Sequence, residues 1–209
     1  MKNASHPCPD CTSDLVLYWQ MDECSLDGTV NDVADSSGNG IHGTSHGEVT
    51  TDTCKVCFGE IFDGTDDYIT TDDSWILSNS TTMSVALWVN FSSLDDQAII
   101  EKAEDSDTQH PVFNMEYTGG NLRFSVYSSD SDYYKEYYSW NPTVGTWYHV
   151  AVVFDNSESD KIRMYIDGTE VQSSEVSAGT FSRIRLENTP VIVGRYRPGD
   201  PKWFSGKID

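Results

Sequence analysis

Apolar and polar residues alternate along most of this chain. Between residues 83 and 91, Met83, Val85, Leu87, Val89 and Phe91 share one face while Ser84, Ala86, Trp88 and Asn90 share the other, a period of two that predicts a half-buried β-strand. Residues 147–155 and 161–168 repeat the pattern, and the acidic stretch 155–160 between them predicts a hairpin, with a second turn at Asp167 and Gly168. Further strands are predicted at 15–19, 57–62, 68–71, 97–102, 112–117, 122–128, 133–140 and 190–196, bounded by clusters of Gly, Asn, Asp and Ser. Residues 93–105 could place Leu94, Ala98 and Ile99 on one helical face, but the β-branched pair Ile99-Ile100 suits a strand, and the segment is read as one. Trp19, Trp88 and Trp147 lie in strand patterns and are expected in the core. The chain therefore reads as an arm, residues 1–14, followed by one all-β, antiparallel two-sheet sandwich over 15–209.

Composition narrows the function. The chain's 209 residues suit a single sandwich domain, and the 12% aromatic fraction compensates for a hydrophobic content of only 37%. Thirteen Lys and Arg against thirty-four Asp and Glu leave a net charge of −21, which argues against nucleic acid or an anionic membrane surface as partner. No apolar run approaches the roughly 18 residues of a membrane span, so no membrane insertion is expected; residues 1–14 lack an apolar leader, so an export signal is expected outside these residues. Cys8, Cys11, Cys24, Cys54 and Cys57 crowd into the first 57 residues. Two CxxC pairs invite a four-thiolate zinc site, but the segment between them is longer than the roughly 15–20 residues usual in zinc ribbons. The alternative is disulfide bonding in an oxidising compartment, which leaves an odd thiol. Sequons at Asn3, Asn79 and Asn90 fit export only weakly.

Five ordered phrases carry a resemblance. They are Leu15-Val16-Leu17-Tyr18-Trp19-Gln20-Met21-Asp22-Glu23; Asp35-Ser36-Ser37-Gly38-Asn39-Gly40-Ile41-His42-Gly43; Phe62-Asp63-Gly64-Thr65-Asp66-Asp67-Tyr68-Ile69; Gly145-Thr146-Trp147-Tyr148-His149-Val150-Ala151 with Met164-Tyr165-Ile166-Asp167-Gly168; and Phe204-Ser205-Gly206-Lys207-Ile208-Asp209. Together they resemble the LamG-like jelly-roll domains of the concanavalin A-like lectin and glucanase superfamily. The resemblance implies a jelly roll, a Cys24–Cys57 disulfide as in a subset of bacterial members, and a closing strand that usually runs on past the position of Asp209 beside the opening strand. It also implies a structural calcium site made by Asp35, the carbonyls of Asn39 and Ile41, and Asp209, oxygen donors of the kind calcium takes. The turn at 62–67 is a second candidate, and both loops are rich in ordinary turn formers.

Aromatic rings that stack on sugars, flanked by polar side chains, would make a carbohydrate site. Tyr127, Tyr133, Tyr134, Tyr137, Tyr138 and Trp140 cluster with Asp130, Asp132, Lys135 and Glu136. Alternation sets Tyr134, Glu136, Tyr138 and Trp140 on one face and Tyr133, Lys135 and Tyr137 on the other; Tyr134, Tyr138 and Trp140 are taken as the ligand platform. No Glu-x-Asp-x-x-Glu pattern of the glucanases is present, Glu101 to Asp107 being the nearest acidic run, and His110 and His149 have no evident nucleophile partner. The expectation is a non-enzymatic extracellular or cell-surface module for adhesion or carbohydrate binding, its partner a glycan or a surface or matrix protein. The alternative is a structural subunit of a filament or surface assembly, completed by strand addition from an identical neighbour.

Overall fold

The computed structural model describes residues 14–72, 74–103, 110–196 and 202–209. The arm bearing Cys8 and Cys11, and the acidic run 104–107, lie outside the described residues. In chain order the strands are β1 (Gly43–His46), β2 (Thr50–Thr53), β3 (Phe58–Asp63), β4 (Tyr68–Thr71), β5 (Thr82–Phe91), β6 (Gln97–Lys102), β7 (Phe113–Thr118) and β8 (Asn121–Tyr127). They continue with β9 (Tyr133–Ser139), β10 (Trp147–Asp155), β11 (Ile162–Ile166), β12 (Thr169–Glu170), β13 (Ser174–Ala178), β14 (Val191–Val193) and β15 (Ser205–Ile208). Two antiparallel sheets result, ordered β1-β4-β14-β6-β7-β8-β9-β13 and β12-β11-β10-β5-β15-β3-β2. This is the expected jelly-roll sandwich.

The period-two pattern explains the core. Met83, Val89 and Phe91 of β5 and Val150, Val152 and Phe154 of β10 pack inward against Phe113, Met115, Leu122, Phe124 and Val126 from the other sheet. At one end Phe91 meets the rings of Tyr117, Trp140 and Phe204 at 5.5, 5.7 and 5.8 Å. Trp19 packs on this core as expected. Trp88 departs from expectation, because its position in the alternation is opposite to that of Val89: it lies outside, 5.2 Å from the His149 ring and with the Lys55 ammonium 4.5 Å above it.

The predicted strand at 15–19 is absent. Tyr18 instead bonds to the loop, its N–H to the Asp35 carboxylate and its carbonyl to the Ser36 N–H, and Trp19 makes a single bridge to Asp35. A slot opens beside it. The edge of β5 that faces β15 is paired through residues 89–91, and Trp88 then exchanges backbone bonds of 2.8 and 3.1 Å with Asp209. In antiparallel alternation the N–H and C=O groups of Ser84 and Ala86 point the same way. They border a cavity of roughly 580 Å³ lined by Leu17, Trp19, Val85, Leu87, Ile100 and Val193 among others.

Candidate functional site

Strand β9 lies between β8 and β13, and its neighbour decides which of its faces is wet. Tyr134, Glu136 and Tyr138 stand opposite Val126, Phe124 and Leu122. Those three β8 residues are in the core, so their partners turn inward as well. Tyr134 packs 5.2 Å from the Phe181 ring and 6.3 Å from Phe154. Tyr138 packs against the core, and Trp140, 9% exposed, sits between Phe91 and Tyr148. The platform expected at Tyr134, Tyr138 and Trp140 thus spends its ring surface on packing. Tyr133, Lys135 and Tyr137 take the outer face.

Register extends that face across the whole sheet. One row reads Thr44, Thr70, Ile192, Glu101, Asn114, Ser125, Lys135 and Val176, each paired with the next. Beside it runs Glu116, Arg123, Tyr137 and Ser174. The Glu116 carboxylate is held by Arg123, by the Lys202 ammonium at 3.0 Å and by the Asn114 amide at 2.9 Å. Lys135 lies 4.3 Å from the Tyr133 ring and 5.4 Å from that of Tyr127, and Arg123 stands 5.9 Å from the Tyr137 ring. At these distances the cations are attracted to the ring faces. Burial, and then the like charge of Arg123, pull the Lys135 amine below its ordinary value.

Loops brace both ends. Asp132 accepts the Thr180 N–H at 2.9 Å and the Ser129 hydroxyl at 2.7 Å, tying β9 to β13. Arg185 binds Asp130 at 2.7 Å and the His110 carbonyl at 3.0 Å, and the His110 ring stacks 4.9 Å from Tyr127. Asp96 accepts the Gly119 N–H and then the Thr118 hydroxyl at the β7–β8 turn, bonds that hold its carboxyl below the usual range. Sequence reasoning singled out Tyr133, Lys135 and Tyr137 only as the other face, and passed over Asn114, Glu116, Arg123 and Ser125. Their signal was the regular polar position between Phe113, Met115 and Tyr117 and between Leu122, Phe124 and Val126.

The residues expected around a cation make hydrogen bonds within the protein. The Asp35 carboxylate accepts from Tyr18, Ile41 and twice from Ser37, at 2.8–3.1 Å. Asn39 donates to the Leu15 and Val16 carbonyls, and the Ile41 carbonyl accepts the Trp19 indole at 3.0 Å. Asp209 accepts the Val56 N–H at 2.6 Å, and burial raises its carboxyl. As arranged, Asp35 and Asp209 hold turns through backbone N–H groups. Asp63, Asp66 and Asp67, in the second candidate turn, do offer oxygens that all lie within 4.8 Å of one another. Cys24, Cys54 and Cys57 are free thiols in the structure. The segment around Cys24 does lie on the β2–β3 hairpin: its carbonyl accepts the Thr51 hydroxyl, and Asp22 accepts the Phe58 N–H. Burial pushes the Cys54 thiol up to about 11.

The sequence model of the concanavalin A-like lectin/glucanases superfamily matches residues 63–209, from the acidic turn to the last residue. The chain belongs to that superfamily. Its concanavalin A-like fold is similar to domain 4 of AbnA, a GH43 extracellular arabinanase from Geobacillus stearothermophilus solved with arabinotriose. That match has a TM-score of 0.55 at 21% identity, covering 90% of this chain and 88% of the other. It is also similar to the ligand binding domain of botulinum neurotoxin serotype D in complex with N-acetylneuraminic acid, with a TM-score of 0.62 at 15% identity over 90% and 47% of the two chains. The binding domain of Paraclostridial Mosquitocidal Protein 1 gives 0.62 at 14% identity over 89% and 48%. This chain spans about half the length of these toxin domains. No curated protein matches the sequence. Among the described residues no helix is long and apolar enough to cross a membrane.

Proposed function

We propose that this concanavalin A-like chain is a non-catalytic carbohydrate-binding module working outside the cell or at its surface, with Tyr133, Lys135 and Tyr137 as its platform. One observation carries the reading: two outward tyrosines on one strand, about 13 Å apart by strand geometry, with an ammonium between them. Rings that stack on sugar faces beside groups that bond hydroxyls are what a glycan site needs. Neighbours of this fold crystallised with arabinotriose and N-acetylneuraminic acid support a glycan partner. A non-catalytic role is supported by Glu116, whose carboxylate is tied to two cations and so is a poor general acid or base. The extracellular setting is supported by the arabinanase described as extracellular and by the clustered cysteines. The test is a glycan array with the wild type and the Tyr133→Ala/Tyr137→Ala double variant. The variant is expected to lose at least tenfold in affinity while melting within a few degrees of the wild type; unchanged binding would remove the platform.

The slot beside β5 favours a second reading, in which a neighbouring copy of the chain donates a strand. Its apolar walls, with the Ser84 and Ala86 backbone groups along one side, support such an addition. Light scattering after size exclusion decides between them: a monomer at every concentration removes the assembly subunit.

A further inference from the structure

Lys135 is an anomaly in this molecule. Acids outnumber bases thirty-four to thirteen, yet among the described residues no carboxylate lies at ion-pair distance from its half-buried ammonium. Its neighbours are the rings of Tyr127 and Tyr133, Ser125 and Val176 across the strands, and the like charge of Arg123. Burying a cation without a counter-charge costs free energy that a simple surface lysine avoids. Three further polar atoms around it are buried with no partner among the described residues: the Ser125 hydroxyl, directly opposite Lys135; the Asn114 Oδ1 beyond it in the same row; and the Arg123 Nε. Ser125 and Asn114 are 0% and 1% exposed. Native structures leave few such groups, and each asks for a partner.

From these neighbours we infer that the outer face of β8 and β9 takes an acidic sugar, its carboxylate set against Lys135 and Arg123 and its ring against Tyr137 or Tyr133. This rests on the carbohydrate-binding reading and narrows it to carboxylated glycans. The donors match the ligand: an ammonium, a guanidinium N–H and a hydroxyl are what a carboxylate accepts from, while the Asn114 Oδ1 is an acceptor suited to a sugar hydroxyl; a charge-assisted bond is about twice as strong as a neutral one. Remaining surface charge supports discrimination. The excess of acids repels a polyanion elsewhere on the molecule, with a reach of only about 8 Å at physiological salt, so a bound acid is confined to this patch.

The experiment is isothermal titration of the full chain with oligogalacturonate and with its methyl ester, which keeps the rings and removes the charge. Sialyllactose against lactose serves as a second pair, and dextran sulfate as the sulfated arm. The expected result is that one acid form binds at least tenfold more tightly than its uncharged counterpart. Lys135→Gln should abolish that preference without lowering the melting temperature, and Lys135→Arg should restore most of it. Equal binding of charged and uncharged forms would overturn the acidic specificity while leaving the glycan site standing. Binding to dextran sulfate alone would overturn the carboxylate. If no sugar binds, including across a neutral array, the carbohydrate reading falls with it.

Discussion

Glu60 is a carboxyl placed where the fold expects a hydrocarbon. It stands opposite Ile208 with Phe62 two residues on, is 0% exposed, and has the Glu23 carboxyl as its side-chain hydrogen-bond partner. Burial, and behind it the charges of Glu23 and Asp32, push it up to about 9. The folded state therefore keeps a proton that the unfolded chain releases above roughly pH 4–5. From there to about pH 9 folding stability falls as pH rises, by about 1.4 kcal/mol per pH unit from this group. Below that window its contribution is fully present. Urea denaturation of wild type and Glu60→Gln at pH 6, 7 and 8 is expected to show this extra slope in the wild type alone, and the variant more stable at pH 8. Sequence could not mark Glu60 as buried, since Gly59 before it breaks the apolar alternation. The tyrosine run failed differently: its two faces were legible, but their sense depended on Phe124 across the strand pair, a long-range fact.

At the scale of elements, four of the five strands that the sequence pattern failed to predict are sheet edges, β1 and β13 in one sheet, β2 and β12 in the other; the fifth, β15, lies inside its sheet and was named only by the resemblance. An edge strand buries little, so it lacks the alternation that reveals an inner strand; β13 reads Ser-Glu-Val-Ser-Ala with its one valine 48% exposed. The other inner strands were legible, and β4 and β6 match their predicted limits to the residue. The edge that borders the proposed platform is β13, held to β9 by Asp132 and by Gly179. Gly179 has φ +71°, and a Cβ there would lie 1.7 Å from the Asp132 carboxylate. Gly179→Ala is expected to break the Asp132–Thr180 bond and cost on the order of 1–3 kcal/mol. Hydrogen exchange should show faster exchange confined to β13 and the outer half of β9, with sugar affinity reduced. Uniform exchange across both sheets would contradict that local role.

Over the whole molecule, the acidic excess bears on two proposals that the resemblance suggested. Calcium would be held best at the Asp63, Asp66 and Asp67 turn, where burial and the two neighbouring carboxylates raise the Asp67 carboxyl. Removing calcium with EGTA is expected to lower the melting temperature by several degrees and Asp66→Asn to abolish the difference; an indifferent melt would exclude a structural ion. A Cys24–Cys57 bridge is expected to appear as a loss of two mass units under non-reducing conditions, with both thiols resistant to alkylation. The jelly roll itself was legible because five separated phrases agree with one sandwich, whereas the slot beside β5 depends on which way the Ser84 and Ala86 backbone groups point, a matter of register.

The strand order sets a schedule. β14, three residues long, lies between β4 and β6 and pairs with both. It leaves the ribosome about ninety residues after β6, a delay on the order of 5–20 s at ordinary elongation rates. Through that interval the nascent sheet is two fragments, each with a raw margin that Ile69 and Ile99 make sticky. Completion waits on a tripeptide, so the sheet closes only once residue 193 has been made.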